Sequence, residues 1–219
     1  MSPVSALLLA LADSRLPTGA HAHSGAMEEA IASGFVFDIA SAEAFLVRKT
    51  KTAGLTGASI AAHLAAGRCD VAEAERLADA RTPSSAGREA SREQGRGLAR
   101  LAKTSWPDFA AAPAGRGGGA LPPRPHLTTV LGSLGGYLGL EAADVAALFV
   151  YTSMSAAATA AQRLLALDPS LMAAATLRLS ALCDETSERA ASRLQELSDP
   201  LGDVLAERHV LRDQALFRS

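Results

Sequence analysis

The sequence predicts an all-α protein, a single helical-bundle domain of about eight to ten helices. Three observations carry this reading. Aromatic residues make up only 4% of the 219 residues while alanine is abundant, which suits helices packed closely through small side chains and not a β-sandwich. Good N-cap residues and glycine or proline stops recur along the chain at helical distances. One long stretch, Val145 to Ala161, carries no charged side chain, as expected of a core helix. The length fits one domain, 1–219, and allows a sizeable core.

Pro3 to Asp13 reads as a short apolar helix. Its run Ala6 to Leu11 has no basic residue before it and Asp13 after it, a poor signal peptide, so a cytoplasmic protein is expected. Pro17 and Gly19 then break the chain, and Ser24 is the expected N-cap of a helix from Gly25 to Ala32, closed by Gly34. Asp38 or Ser41 caps a helix through Phe45 toward Thr52, which Gly54 and Gly57 are expected to interrupt. Ile60 to Ala66 follows, stopped by Gly67, and Asp70 caps Val71 to Ala80.

Pro83 opens a longer helix, Ser84 to about Lys103. Arg88, Arg92, Arg96 and Arg100 recur every fourth residue and form a slowly turning stripe, either a solvated face of ion pairs or a docking face for an acidic partner. No aromatics interleave with these arginines and the net charge is −2, so nucleic acid is not the expected partner. Residues 110–125, rich in Gly, Pro and Ala, read as a flexible linker. No Lys-Ser/Thr pair ends them, so they are not a phosphate loop.

His126 to Leu140 reads as a helix in which Gly132, Gly135, Gly136 and Gly139 imply close helix–helix contact, because glycines inside a helix otherwise cost stability. Glu141 to Leu167 is the longest apolar helix. It is short and weakly hydrophobic for a membrane span, so a central core helix is expected and no membrane contact. Pro169 starts a helix to about Leu197, ended by Ser198-Asp199-Pro200. The chain closes on Leu216, Phe217, Arg218 and Ser219, which is unusually apolar for a terminus and suggests a docking tail over 208–219.

Chemistry-bearing groups are sparse. His21 and His23 are the weak candidates for a metal site, but two imidazoles do not complete a nickel or zinc shell. Ala22-His23-Ser24-Gly25-Ala26 lacks both glycines of a nucleophile elbow. Glu28 and Glu29 point about 100° apart on a helix and cannot act as one carboxylate pair. Cys69 and Cys183 are far apart and are expected reduced. No catalytic residue is assigned.

The spacing of Leu16, Pro17, Gly19, His23, Ser24 and Glu28 resembles the opening motif of the urease accessory family UreF. Three later stretches agree in order. Arg88, Ala90, Ser91, Gln94, Gly95, Arg96 and Leu98 resemble the family's Ala-Ser followed by Gln-Gly-Arg and leucines. His126, Gly132 and Leu138-Gly139-Leu140 resemble a third stretch, followed by the Ala-x-Arg-Leu that contains Arg163. Pro200-Leu201, Asp203, His209 and the final Leu216-Phe217-Arg218-Ser219 resemble the family's C-terminus. Ala215 departs from it, standing where relatives carry Arg, whose role is then absent or falls to Arg212 or Arg218. His21 stands where relatives carry an aromatic.

The resemblance implies an all-helical homodimer that matures urease, with no tightly bound cofactor and nickel in transit. It implies binding to a UreD/UreH-type accessory protein, then to the UreG-type GTPase, whose activity it governs, and nickel delivery to apo-urease. Of the motif residues, the resemblance implies partner binding by Leu16, Pro17, Gly19, His23, Ser24, Glu28, Arg88, Ser91, Gln94, Arg96, Arg163, His209, Leu216, Phe217, Arg218 and Ser219. The alternatives are a cytoplasmic helical enzyme using the His21/His23/Glu28 loop, or a purely structural helical scaffold.

Overall fold

A computed structural model describes residues 6–16, 23–111, 120–212 and 216–217 of the chain. Helices α1 (Ala6–Leu11), α2 (Met27–Ala32), α3 (Ile39–Lys49), α4 (Leu55–Ala65), α5 (Val71–Arg81) and α6 (Ser85–Ser105) make the first half. Helices α7 (Leu127–Tyr137), α8 (Ala142–Leu164), α9 (Pro169–Arg178), α10 (Ser180–Ser192) and α11 (Pro200–Val210) make the second. There is no strand among the described residues, and the fold is all-α.

Most boundaries follow from capping. Asp38 accepts the Ser41 N–H while the Ser41 hydroxyl accepts from the Asp38 N–H, a capping box that starts α3. Asp70, Ser84, Asp168 and Asp199 cap α5, α6, α9 and α11 with a side-chain oxygen that accepts a backbone N–H of the first turn, the last two followed by Pro at the first helical position. Gly34, Gly67 and Gly139 end α2, α4 and α7 at positive φ.

Three elements differ from the expectation. Gly54 and Gly57 do not interrupt a helix. A π-helical turn over Thr50–Gly54 joins α3 to α4 without a break. Gly57 lies under the Phe149 ring, where a Cβ would come within 2.5 Å, so glycine serves packing there and not termination. Second, the helix expected from Pro169 to Leu197 is divided at Leu179 and ends at Ser192. Third, Ser24 does not cap α2. Ala26 holds the N-cap position at φ 71°, and the Ser24 hydroxyl has no hydrogen-bond partner among the described residues.

The most completely buried helix is α4, whose side chains from Leu55 to Ala65 are buried except at Gly57. It packs against α5, α7, α8 and α10. Helix α8, the expected centre, touches α1, α2, α3, α4, α7, α9 and α10 but keeps Tyr151 exposed on its outer side. By length and composition α8 could cross a membrane, yet Val145, Leu148, Val150 and Met154 are packed inside the protein. Of the four glycines expected to make close contacts, Gly132 and Gly135 do so, whereas Gly139 has nothing within 4 Å and serves instead as the positive-φ stop of α7. A Cβ on Gly132 would sit 2.7 Å from the Ala61 carbonyl oxygen of α4, and one on Gly135 would strike Val145 of α8.

Of the expected linker, residues 112–119 lie outside the described residues. Its C-terminal part is tied down: Leu121 packs on the core, Arg124 pairs with Glu89, and Pro125 is buried. Cys183 is buried with its thiol 3.6 Å from Met154 Sδ, and Cys69 is half-buried with its thiol pushed up to about 11 by burial, then by Glu73 and Asp70.

Candidate functional site

Helix α11 ties two parts of the chain together that are far apart in sequence. On its N-terminal side it caps α6. The Ser84 N–H donates to Asp203, and Glu207 Oε1 accepts from the Ser84 and Ser85 hydroxyls and the Ala86 N–H. Those bonds, the Ala86 amide first, hold the Glu207 carboxyl at about 2, whereas burial raises that of Asp203. The orphan N–H groups of a long helix thus find their acceptors on another helix.

On its C-terminal side α11 meets α2. Glu28 is buried, and its carboxylate accepts from His209 Nε2–H at 2.8 Å, the Leu216 N–H at 2.8 Å and the Phe217 N–H at 2.9 Å. Glu29, also buried, accepts from Ser33 and from Arg212 at 3.0 Å, with Arg208 Nε at 3.2 Å. The two carboxylates hold different groups of the same chain end: Glu28 takes His209 and the Leu216 and Phe217 amides, and Glu29 takes Arg208 and Arg212. Burial alone would raise both. The hydrogen bonds, from His209 to Glu28 and from Ser33 and Arg212 to Glu29, outweigh it and hold both below the ordinary 4.5. Phe217 packs on the main core, while Leu216 is 80% exposed.

The docking tail expected over 208–219 is, in its first part, built into the fold. Helix α11 runs to Val210, and His209 is buried against Glu28, because an imidazole beside an ionised, desolvated carboxylate is held by a charge-assisted bond. Arg212 answers part of the question raised by Ala215, since it reaches Glu29. Ala215, Arg218 and Ser219 lie outside the described residues, as do Pro17, Gly19 and His21.

A second polar network joins α5, α6 and α7. His126, 1% exposed, donates from Nε2 to Asp79 at 2.9 Å, and its Nδ1 accepts from the Ser91 hydroxyl at 3.0 Å. Ser91 Oγ also accepts the Leu127 N–H, and the His126 N–H donates to Glu75. Arg92 bridges Glu75, Asp79 and the Arg124 carbonyl oxygen. Burial would raise the Asp79 carboxyl, but His126 and Arg92 hold it down. The order Ser–His–Asp is that of a nucleophile relay, but here the serine oxygen caps the first turn of α7, and the assembly fastens α7 to α6. Gly95 permits the approach, since a Cβ there would strike the Pro125 carbonyl oxygen.

The arginine stripe is divided by this network. Arg88 donates to the Thr82 and Pro83 carbonyls and Arg92 is fixed as above, while Arg96 is 41% exposed and about 4.0 Å from Glu89 and Glu93. Arg100 is exposed, as is Arg163 at the end of α8.

Between the end of α1, the turn before α2, the end of α3, and α6, α7, α8 and α11 lies a cavity of about 280 Å³. Leu16, His23, Ser91, Gln94 and Phe217 line it, so residues of the first, second and last motif stretches share one wall. His23 Nε2 lies 3.6 Å from Glu93. Among the described residues no three His, Cys, Asp or Glu side chains gather as a metal site. Lys49, Asp79, Glu75, Asp199 and Glu207 are the structural participants that sequence reasoning missed. Only Asp199, before Pro200, carried a local signal, as a cap.

An all-helical protein in which separated polar motifs fasten helix ends around one cavity is the class that fold and site define. The comparisons specify it. A sequence model of the UreF family matches residues 36–182. The urease accessory protein UreF of Mycobacterium sp. (strain JLS) is 52% identical over 212 residues, covering 97% of both chains. Those of Mycobacterium tuberculosis (strain ATCC 25618 / H37Rv) and Mycobacterium marinum are 52% and 51% identical over 214 residues, covering 98% of each chain. The chain belongs to the UreF family of urease accessory proteins and is an accessory factor, not an enzyme.

Proposed function

We propose that this protein is a cytoplasmic maturation factor that bridges a UreD/UreH-type accessory protein and a UreG-type GTPase, regulates that GTPase and helps deliver nickel to apo-urease, acting as a homodimer. Membership of the UreF family supports the reading. Nickel is cargo in this scheme and not a resident cofactor.

The observation that carries it furthest is the chain end. Glu28 fixes the Leu216 and Phe217 amides, so Leu216 is presented outward on an anchored backbone. Covering a leucine contributes about 1.5–3 kcal/mol, and an anchored backbone has already paid much of the ordering entropy a free tail would lose. The tail is the proposed contact for the UreD/UreH-type partner, and the exposed Arg96 and Arg100 the proposed contact for an acidic surface.

The experiment is a binding titration of the full-length protein against the purified UreD/UreH-type partner, with urease activation as a second readout. Leu216→Ser should leave the melting temperature unchanged, weaken the complex at least tenfold and slow activation in proportion. Unchanged affinity and activation would remove the tail from the interface.

A further inference from the structure

Helix α1 reads Ala-Leu-Leu-Leu-Ala-Leu, apolar at all six positions, yet it buries none of them. Ala6, Leu9 and Ala10 face solvent, Leu9 at 63% exposure. Leu8 and Leu11, with Ala12 behind them, pack on the cluster that contains Leu98, Leu131 and Leu148. The main neighbour of α1 among the other helices is α8. Beyond α1 the chain turns on itself. The Leu16 N–H donates to the Asp13 carbonyl, and the Asp13 carboxylate accepts from the Arg15 N–H at 2.8 Å and from its guanidinium. Helix α1 is therefore held against the core through half-buried side chains alone. A helix of six residues does not persist in water by itself, since isolated helices are marginal below about 12 residues. When Leu8 and Leu11 leave the cluster, the helix melts.

That cluster is also the apolar side of the cavity. Leu98, Leu131 and Leu148 line the space from α6, α7 and α8, and Leu11, Ala12, Asp13, Ser14 and Leu16 line it from the N-terminal side. The walls differ in how firmly they stand. Helices α6, α7, α8 and α11 each bury several side chains, whereas α1 buries none. Local opening takes place where buried apolar contacts are fewest. His23, Ser91 and Gln94 line the same space, and none of the three is exposed.

We propose that α1 and the turn to Leu16 are a lid on the cavity. The lid opens by local unfolding of residues 6–16 while the other helices stay folded, and its opening uncovers Leu98, Leu131 and Leu148. The device is an order–disorder change of a segment and not a hinge, because the short helix does not survive its release. One consequence rests on the partner reading above: a protein that contacts His23, Ser91 or Gln94 does so through the opened lid. The lid itself needs no partner, nickel or ligand and is tested without them.

Amide hydrogen exchange on the full chain, read by NMR, is the first measurement. The Leu11 and Ala12 amides should exchange roughly a hundredfold faster, or more, than those of Val150 and Met154 in α8. Low guanidinium should speed the α8 amides and leave those of α1 unmoved, as local opening requires. The second measurement is alkylation of Leu131→Cys by iodoacetamide, followed by peptide mass spectrometry so that Cys69 and Cys183 are read separately. Adding Leu11→Ser should raise the alkylation rate at position 131 about tenfold or more, with circular dichroism, melting temperature and α8 exchange unchanged. Leu11 and Ala12 amides as slow as those of α8 overturn the proposal. So does an alkylation rate that Leu11→Ser leaves unmoved, since the reagent would then enter by another side. Loss of α8 protection in Leu11→Ser overturns it as well, because α1 would then belong to the cooperative core.

Discussion

Glu28 is the residue on which the local chemistry turns. It compensates one imidazole and two backbone amides at once, and none of these groups has another acceptor among the described residues. Replacing it by alanine leaves a buried His209 and two amides without partners, at a cost of about 2–4 kcal/mol. For a chain of this length that lowers the melting temperature by about 4–16 °C. The pH dependence follows in sign. Glu28 and Glu29 both have folded pKa values below the ordinary 4.5, so their contribution is complete above that value and is lost as pH falls through the depressed values. Acid titration of wild type should therefore show a loss of stability below about pH 4.5 that Glu28→Gln reduces.

The same scale separates arginines that look alike in sequence. Arg92 bridges two carboxylates and a carbonyl at 21% exposure, whereas Arg96 lies in solvent at the limit of ion-pair distance. Arg92→Ala should cost about 1–3 kcal/mol, and Arg96→Ala within about 0.5 kcal/mol. Thermal denaturation of the two variants checks the contrast. Equal shifts would mean the α5–α7 network contributes nothing to stability.

Helices are the scale at which the sequence was most legible. Asp38, Asp70, Ser84 and Pro169 mark starts correctly because capping is a local interaction, complete within three residues. The misreadings share one cause. Gly54, Gly57 and Ser24 are strong local signals that tertiary contacts override. Phe149 needs the space above Gly57, and the turn before α2 enters through Ala26 instead of Ser24. The division of α9 from α10 at Leu179 had no glycine or proline to announce it. Gly95 gives the sharpest test at this scale. Alanine raises helix propensity by about 1 kcal/mol, but its methyl group would meet the Pro125 carbonyl. Gly95→Ala should therefore destabilise the protein and shift the His126 side chain, visible as a lower melting temperature and an altered His126 NMR signal. A stabilised variant would show that α6 and α7 are not in close approach.

For the whole molecule, what the sequence held was four separated motifs; what it concealed was that they touch. Glu28 lies 181 positions from His209, and Ser91 lies 35 from His126, so neither pairing leaves a periodicity to read. The fold class was legible because it depends on composition and spacing. The cavity and Lys49 were not, because an isolated lysine at a helix end looks the same whether it faces solvent or an interior chamber.

The central claim is that the first motif holds the last one through Glu28. Amide hydrogen exchange at Leu216 and Phe217, read by NMR in wild type and Glu28→Ala, tests it most directly. Slow exchange is expected at both amides in wild type and exchange at the rate of an unstructured peptide in the variant, while α4 and α8 remain protected in both. Fast exchange at Leu216 and Phe217 in wild type, or the same protection in the two proteins, would contradict it.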